Sequence, residues 1–210
     1  GDKRSPGGLP FYDNIGDFAA REGMVGVTVT YRLAPAHGWP AGPEDMGAIV
    51  SWLKANIADH GGDPTAIFLI GQSAGAVHVA SYVAHAAHHA AAGGGIAGAM
   101  MISTIHDVAG AHANPFHVAY YGEDAGRYAE ASTTRGLIDS PVPLLFSVSE
   151  FDVADFQKQA ASLVAAYAAA RGGYPRMHYL AGHNHLSPVL AIGTPDDVLG
   201  PIIKTFVAEN

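Results

Sequence analysis

Gly71-Gln72-Ser73-Ala74-Gly75 is the stretch that decides the fold of this 210-residue chain. It follows a short apolar run, residues 66–70 (AIFLI), and opens an alanine-rich segment. A strand, a sharp turn with serine between two glycines, and a helix form the arrangement called a nucleophile elbow. The turn strains the serine backbone, so we expect the flanking glycines to be required because side chains would clash there. The pattern predicts that Ser73 presents its hydroxyl above a sheet edge, with the Ala74 N–H aimed at a developing oxyanion.

The composition is that of a globular protein. Apolar residues make up 49% of the chain and charged residues 14%, and the length suits a single domain over residues 1–210. The formal charge is −8, and the chain has no basic cluster beyond Lys3-Arg4, which argues against a nucleic-acid partner. The absence of cysteine excludes disulfides and thiolate metal sites and is compatible with a cytoplasmic location. The longest weakly polar region, residues 84–103, is broken by histidines and glycines, so we expect no membrane span.

The order of apolar segments predicts an α/β fold. Strands are predicted at residues 24–31, 66–70, 96–103, 142–148 and 176–180, and helices at residues 11–22, 44–60, 74–92, 153–171 and 195–208. Residues 24–31 (MVGVTVTY) are rich in β-branched side chains and are interpreted as a buried strand. The alternation predicts a mainly parallel sheet with helices on both faces. Residues 104–140 are irregular, with a short helix near 123–131, and are interpreted as a small lid-like insertion.

Acid and histidine candidates for activating Ser73 follow two late strands. A serine hydroxyl is a weak nucleophile and needs a neighbouring base, which a carboxylate orients. Asp152 follows the strand at 142–148 and is the preferred acid; Glu150 is nearer the strand end, and Asp155 is interpreted as a helix-start residue. The alternative is that Asp152 only caps the next helix. His183 and His185 both follow the strand at 176–180, and spacing alone does not decide between them.

Other polar and aromatic clusters have two interpretations each. His85, His88 and His89 have the i, i+3, i+4 spacing of a helical metal site, but exposed histidines at a helix end are commoner, so neither metal nor cofactor is expected. Aromatic residues of the insertion could wall an acyl pocket or could pack the insertion onto the body. With the residue before the nucleophile, the candidate substrate-binding residues are Gln72, Phe116, Tyr120 and Tyr121.

Several motifs in order resemble the hormone-sensitive-lipase-like esterases. These are residues 31–35 (YRLAP), Trp39-Pro40-Ala41 with Asp45, residues 147–152 (SVSEFD) and residues 182–185 (GHNH). The resemblance covers nearly the whole chain and implies an α/β-hydrolase fold and hydrolysis of carboxylic esters, usually with short acyl chains. It also implies that His185, rather than His183, is the base. A small-molecule ester is therefore the expected partner.

The chain departs from that family at two places. The family usually has an acidic residue where Gln72 stands, so an amidase, arylformamidase or lactonase with the same triad remains an alternative. The family's His-Gly-Gly-Gly oxyanion loop and its strand would precede Gly1, so an amino-terminal truncation is expected, with Gly7-Gly8 as candidate replacement donors. That strand would lie between residues 24–31 and 66–70, and the exposed edge predicts a homodimer. A non-catalytic scaffold is the further alternative.

Overall fold

A parallel β-sheet organises the part of the chain that the structure, a computed structural model, describes: residues 12–210. Gly7-Gly8 lies outside the described residues. The strands of this range are β1 (Phe68–Gln72), β2 (Gly98–Ile102), β3 (Leu144–Phe151) and β4 (Met177–Asn184). They lie side by side in chain order, and each pair is parallel. The predictions of strands near 66–70, 96–103, 142–148 and 176–180 are confirmed, although β4 continues to Asn184 and takes in His183.

Helices connect and cover the strands, as the alternating pattern predicts. They are α1 (Asp13–Arg21), α2 (Ala41–Asn56), α3 (Ala74–Ala84), α4 (Pro115–Tyr121), α5 (Tyr128–Ala131), α6 (Thr134–Asp139), α7 (Ala154–Arg171), α8 (Ser187–Leu190) and α9 (Leu199–Ala208). The helix predicted at 44–60 is α2 continued by a 3₁₀ turn, Ile57–His60. The helix predicted at 195–208 begins later, at Leu199.

Strand β2 shows how the two faces of the sheet are covered. All five of its residues are buried, which is typical of a central parallel strand. Successive side chains point to opposite faces. Ala99 and Met101 pack in a cluster with residues of α2, α3 and α7, whereas Met100 and Ile102 pack in a second cluster with residues of α1 and α9. The prediction of helices on both faces is confirmed.

The prediction of a buried strand at residues 24–31 is wrong. None of these residues belongs to a strand of the described chain, and Val25, Val27 and Val29 are 42–44% exposed. The segment is tied at its ends: the Met24 N–H donates to the Ala19 carbonyl at 2.8 Å, and the Arg32 N–H donates to Asp45 Oδ2 at 2.7 Å. β-Branched residues favour an extended backbone, but burial also requires a neighbouring strand and a covering helix, and none of the four strands of residues 12–210 pairs with this segment.

Helix α3 is shorter than the predicted 74–92 because histidine side chains close it. The backbone of His85 is extended, and its Nδ1 lies 2.8 Å from the Ser81 carbonyl oxygen. His89 Nε2 lies 2.9 Å from the Tyr82 carbonyl oxygen. The Ser81 carbonyl also accepts the His85 N–H, so the His85 ring is its second partner, whereas the His89 ring contacts a carbonyl of the last turn, where a helix runs out of N–H donors. The i, i+3, i+4 helical spacing expected for a metal site is therefore not formed, because His85 already lies outside the helix.

Residues 104–140 are more helical than expected. Helix α4 was not predicted, although Asn114 caps it by accepting the N–H groups of Phe116 and His117 at 3.0 Å, and a proline follows that cap. The helix predicted near 123–131 is a 3₁₀ turn, Ala125–Arg127, followed by α5. Helix α6 packs against α3: a side chain at Gly136 would lie 2.5 Å from the Ala84 carbonyl oxygen. The carboxyl end of this segment is thus packed onto the body of the domain.

Candidate active site

The turn between β1 and α3 has the strained backbone that the glycine–serine pattern predicts. Ser73 has φ 53° and ψ −120°, which non-glycine residues rarely adopt. Gly71 is required there, because a Cβ on it would lie 2.5 Å from the Gly75 carbonyl carbon and oxygen. The same requirement predicted for Gly75 is not found among the described residues, because, apart from its chain neighbours and the backbone of α3 itself, no heavy atom of residues 12–210 lies within 4 Å of the Cβ position.

Ser73, His185 and Asp152 form a hydrogen-bonded chain at the carboxyl edge of the sheet. Ser73 Oγ lies 2.8 Å from His185 Nε2, and His185 Nδ1 lies 2.6 Å from Asp152 Oδ1. Each residue directly follows a strand, namely β1, β4 and β3 in that order, and the carboxyl ends of parallel strands meet at one edge of a sheet. His183 lies elsewhere, with its Nδ1 3.0 Å from Ser187 Oγ.

The carboxylate of Asp152 is buried and held by three donors. Besides the His185 ring, its Oδ2 accepts the Ser103 hydroxyl at 2.6 Å and the Ser149 N–H at 2.7 Å. Burial alone raises the pKa of Asp152, but the hydrogen bonds from His185, Ser103 and Ser149 outweigh it, and the pKa lies below its usual value. The side chain does not cap α7, whose first turn has no side-chain cap. It therefore remains an acceptor that fixes the imidazole.

Two further contacts at this edge were missed by the sequence analysis. Ser103, at the end of β2, has a positive φ of 51° and is 1% exposed. Its place at the carboxyl end of a predicted strand beside the elbow strand was the available signal. The Phe156 ring stacks on the His185 ring at a centroid distance of 4.7 Å and an angle of 16°. No sequence pattern indicated that contact, because it depends on how α7 meets the loop after β4.

The candidate substrate-binding residues lie in two places. Gln72 lies at the site, where its Nε2 donates to the His185 carbonyl oxygen at 2.6 Å. Phe116 is 85% exposed on α4. The Tyr120 hydroxyl accepts the Gly42 N–H at 3.2 Å, and the Tyr121 ring packs against aromatic residues of the insertion. Within residues 12–210, no hydrogen bond or ring contact joins the three aromatic candidates to Ser73 or His185.

Ala74, the candidate oxyanion donor, is the first residue of α3. The first N–H groups of a helix have no acceptor within it, and they carry the positive end of the helix dipole. The position is therefore suited to stabilising negative charge beside Ser73 Oγ.

Within residues 12–210, no three His, Cys, Asp or Glu side chains are grouped so as to hold a metal ion. None of the helices between residues 12 and 210 combines the length and apolar character needed to cross a membrane.

The chain belongs to the α/β-hydrolase fold family, whose model matches residues 7–187. Among curated relatives, it is 45% identical over 76 residues to the carboxylesterase NlhH of Mycobacterium tuberculosis, and this match covers 34% of the chain and 23% of that protein. It is 36% identical over 86 residues to the liver carboxylesterase of Sus scrofa, which covers 37% of the chain and 15% of that protein. The matches therefore span less than a quarter of these relatives' lengths.

Solved structures share the fold. The crystal structure of EstE5 soaked with p-nitrophenyl butyrate superposes with a TM-score of 0.68 at 23% identity, covering 93% of this chain and 70% of that one. A truncated carbohydrate esterase from gut microbiota superposes with a TM-score of 0.70 at 15% identity, covering 93% and 77%. At these identities the likeness establishes the α/β-hydrolase fold.

Proposed function

We propose that this chain is a serine carboxylesterase that hydrolyses short-chain carboxylic esters through an acyl-enzyme. The observation that carries the proposal is the continuous chain of hydrogen bonds from Ser73 Oγ through His185 to Asp152. A serine in that position can lose its proton to the imidazole as it attacks a carbonyl carbon. The esterase names of the relatives and the family membership support the reaction class.

The reaction proceeds in two halves. His185 Nε2 takes the Ser73 proton while Oγ attacks the ester carbonyl, and the Ala74 N–H stabilises the oxyanion. His185 then gives the proton to the leaving alkoxide, which departs as an alcohol and leaves an acyl-Ser73. In the second half, His185 takes a proton from water, the hydroxide attacks the acyl carbon, and the acid is released as Ser73 recovers its proton. Asp152 holds the imidazole through both halves.

Steady-state hydrolysis of p-nitrophenyl acetate, butyrate and octanoate tests this proposal. We expect turnover that decreases from butyrate to octanoate and that falls by at least about 10³-fold in Ser73→Ala. Ser51→Ala is the matched control, because Ser51 lies on α2 and its hydroxyl donates to the Gly47 carbonyl oxygen. Equal rates for wild type and Ser73→Ala would contradict the serine mechanism. Faster turnover of an N-formyl aryl amine than of every ester would assign an amide substrate instead.

A further inference from the structure

Gln72 connects the elbow strand to the loop that carries His185. Its Nε2 donates to the His185 carbonyl oxygen at 2.6 Å, and its Oε1 accepts the Tyr12 hydroxyl at 3.2 Å. The side chain is therefore bound at both ends of its amide. One partner lies just before α1, and the other is the histidine that contacts Ser73.

The loop after β4 needs such a tie. β4 ends at Asn184, so His185 is the first residue beyond the strand. On its other side, the Asn184 side chain accepts the N–H groups of Leu186 and Ser187 at 2.9 and 3.0 Å. Those bonds shape the turn after His185 but do not tie it to β1. The bond from Gln72 ties the His185 loop to β1, at the residue that precedes Ser73.

We propose that Gln72 is a positioning residue. Its amide fixes the position of the His185 backbone relative to the β1–α3 turn, and so fixes the contact between His185 Nε2 and Ser73 Oγ. The inference rests on the proposed esterase function. Although the resembled family usually has an acidic residue here, a side-chain amide suits the partners present in this chain, because one end donates to the His185 carbonyl and the other accepts the Tyr12 hydroxyl. A carboxylate in its place would oppose two acceptors across a distance of 2.6 Å and push the loop away.

Three variants separate the two ends of the amide. Gln72→Glu keeps the length of the side chain and the acceptor for Tyr12 but replaces the donor to His185. Gln72→Met removes both bonds, whereas Tyr12→Phe removes the bond to Oε1 and leaves the bond to the His185 carbonyl. Asn56→Asp is the matched control: the Asn56 amide also donates to a backbone carbonyl, that of Trp52, at 2.7 Å, but at the end of α2.

Kinetics on p-nitrophenyl butyrate, at temperatures well below each variant's Tm, give the first readout. We expect kcat to fall by about 100-fold in Gln72→Glu, about 10-fold in Gln72→Met and about twofold in Tyr12→Phe, with KM within about twofold throughout, because only transition-state geometry is lost. Asn56→Asp should match wild type. A raised KM with unchanged kcat would overturn the positioning role and assign Gln72 to substrate binding. A kcat within twofold of wild type in Gln72→Glu would overturn it as well.

The second readout does not depend on turnover. The His185 Nδ1 proton, assigned by NMR with ¹⁵N-labelled histidine and a His185→Gln variant, reports the 2.6 Å bond to Asp152. We expect its resonance to shift in Gln72→Glu and Gln72→Met and to stay in place in Asn56→Asp. An unchanged resonance in Gln72→Glu would refute the inference even for an active enzyme. The two proposals can also fail separately. If the wild type shows no Ser73-dependent turnover but the resonance shifts in the Gln72 variants, the esterase proposal is refuted and the positioning role of Gln72 is retained.

Discussion

The carboxyl edge of the sheet and residues 24–31 differ in how their extended backbones are held. At the edge, β1 to β4 pair along their lengths and bring Ser73, Asp152 and His185 together. Residues 24–31 (MVGVTVTY) are richer in β-branched residues than any of these strands. Their valines are nevertheless 42–44% exposed, and the Met24 and Arg32 N–H groups are bonded at the two ends of the segment. Local sequence therefore favours an extended backbone, whereas neighbouring strands determine whether its side chains are buried and how accurately the residues at its ends are placed.

Replacing a carboxylate at the carboxyl edge and another that bonds the residue just after 24–31 should give the largest contrast. Asp152→Asn should lower kcat by about 10⁴-fold, because an amide no longer holds the His185 tautomer that can accept the Ser73 proton. Asp45→Asn, which weakens the 2.7 Å pairing with Arg32 beyond residues 24–31, should leave kcat within about threefold. Both rates are measured with p-nitrophenyl butyrate. Equal losses would show that the two regions act as one catalytic unit.

Stability should separate the same regions. Met101 of β2 is fully buried, so Met101→Ala should lower the free energy of unfolding by about 2–5 kcal/mol. Val27→Ala, at a half-exposed position, should change it by no more than about 0.5 kcal/mol. Urea denaturation followed by circular dichroism measures both. A loss above 2 kcal/mol for Val27→Ala would mean that residues 24–31 are buried in solution.

The carboxyl edge could be predicted from the sequence because its residues follow strands. Ser73 and Asp152 come shortly after predicted strands, and His183 and His185 both follow the strand predicted at 176–180, so the parallel arrangement places such residues together. The preference for His185 over His183 came from the family resemblance. The pattern of residues 24–31 could not show whether they form a strand, because strand pairing depends on a partner segment elsewhere in the chain. The end of α3 was missed for a similar reason: His85 and His89 act through side-chain bonds to carbonyls.

The partners of Gln72 and Ser103 were also beyond sequence reasoning. Both residues were visible at the ends of predicted strands, but a polar side chain there can bind substrate, backbone or another side chain. Only the packed structure shows that Ser103 donates to Asp152 and that Gln72 donates to His185. Position was predictable, and the choice of hydrogen-bond partner was not.

Low pH should lower the free energy of unfolding through the contact between residues 24–31 and α3. The Tyr31 ring packs on the His78 ring at a centroid distance of 4.2 Å. Burial lowers the pKa of His78 to about 4, although the nearby Asp45 carboxylate opposes that shift. In the unfolded chain, His78 has the ordinary histidine pKa of about 6.5. Between that pH and about 4, His78 therefore binds a proton in the unfolded chain but stays neutral in the folded chain. Stability should therefore fall as the pH drops from about 6.5 to about 4, by about 3 kcal/mol from this group.

Urea denaturation at pH 7, 6 and 5 measures that slope. His78→Phe keeps a ring against Tyr31 but cannot titrate, so its stability should depend less steeply on pH than that of wild type. His106, whose pKa burial lowers to about 3, should leave a residual slope of the same sign. His37→Gln, at an exposed position, serves as the control. Identical slopes for wild type and His78→Phe would exclude His78 as the source.

The smallest expected effect concerns the support of Asp152 from β2. Ser103→Ala removes the 2.6 Å bond to Oδ2 but leaves the Ser149 N–H and the His185 ring as donors. Because the carboxylate stays charged and bound, we expect kcat to fall only about 10-fold, equivalent to about 1.4 kcal/mol. Ser103→Thr, which keeps the hydroxyl, should recover less than full activity, because a β-branched residue is strained at a φ of 51°. A loss as large as that of Asp152→Asn would mean that β2, and not the His185 ring, sets the position of the acid.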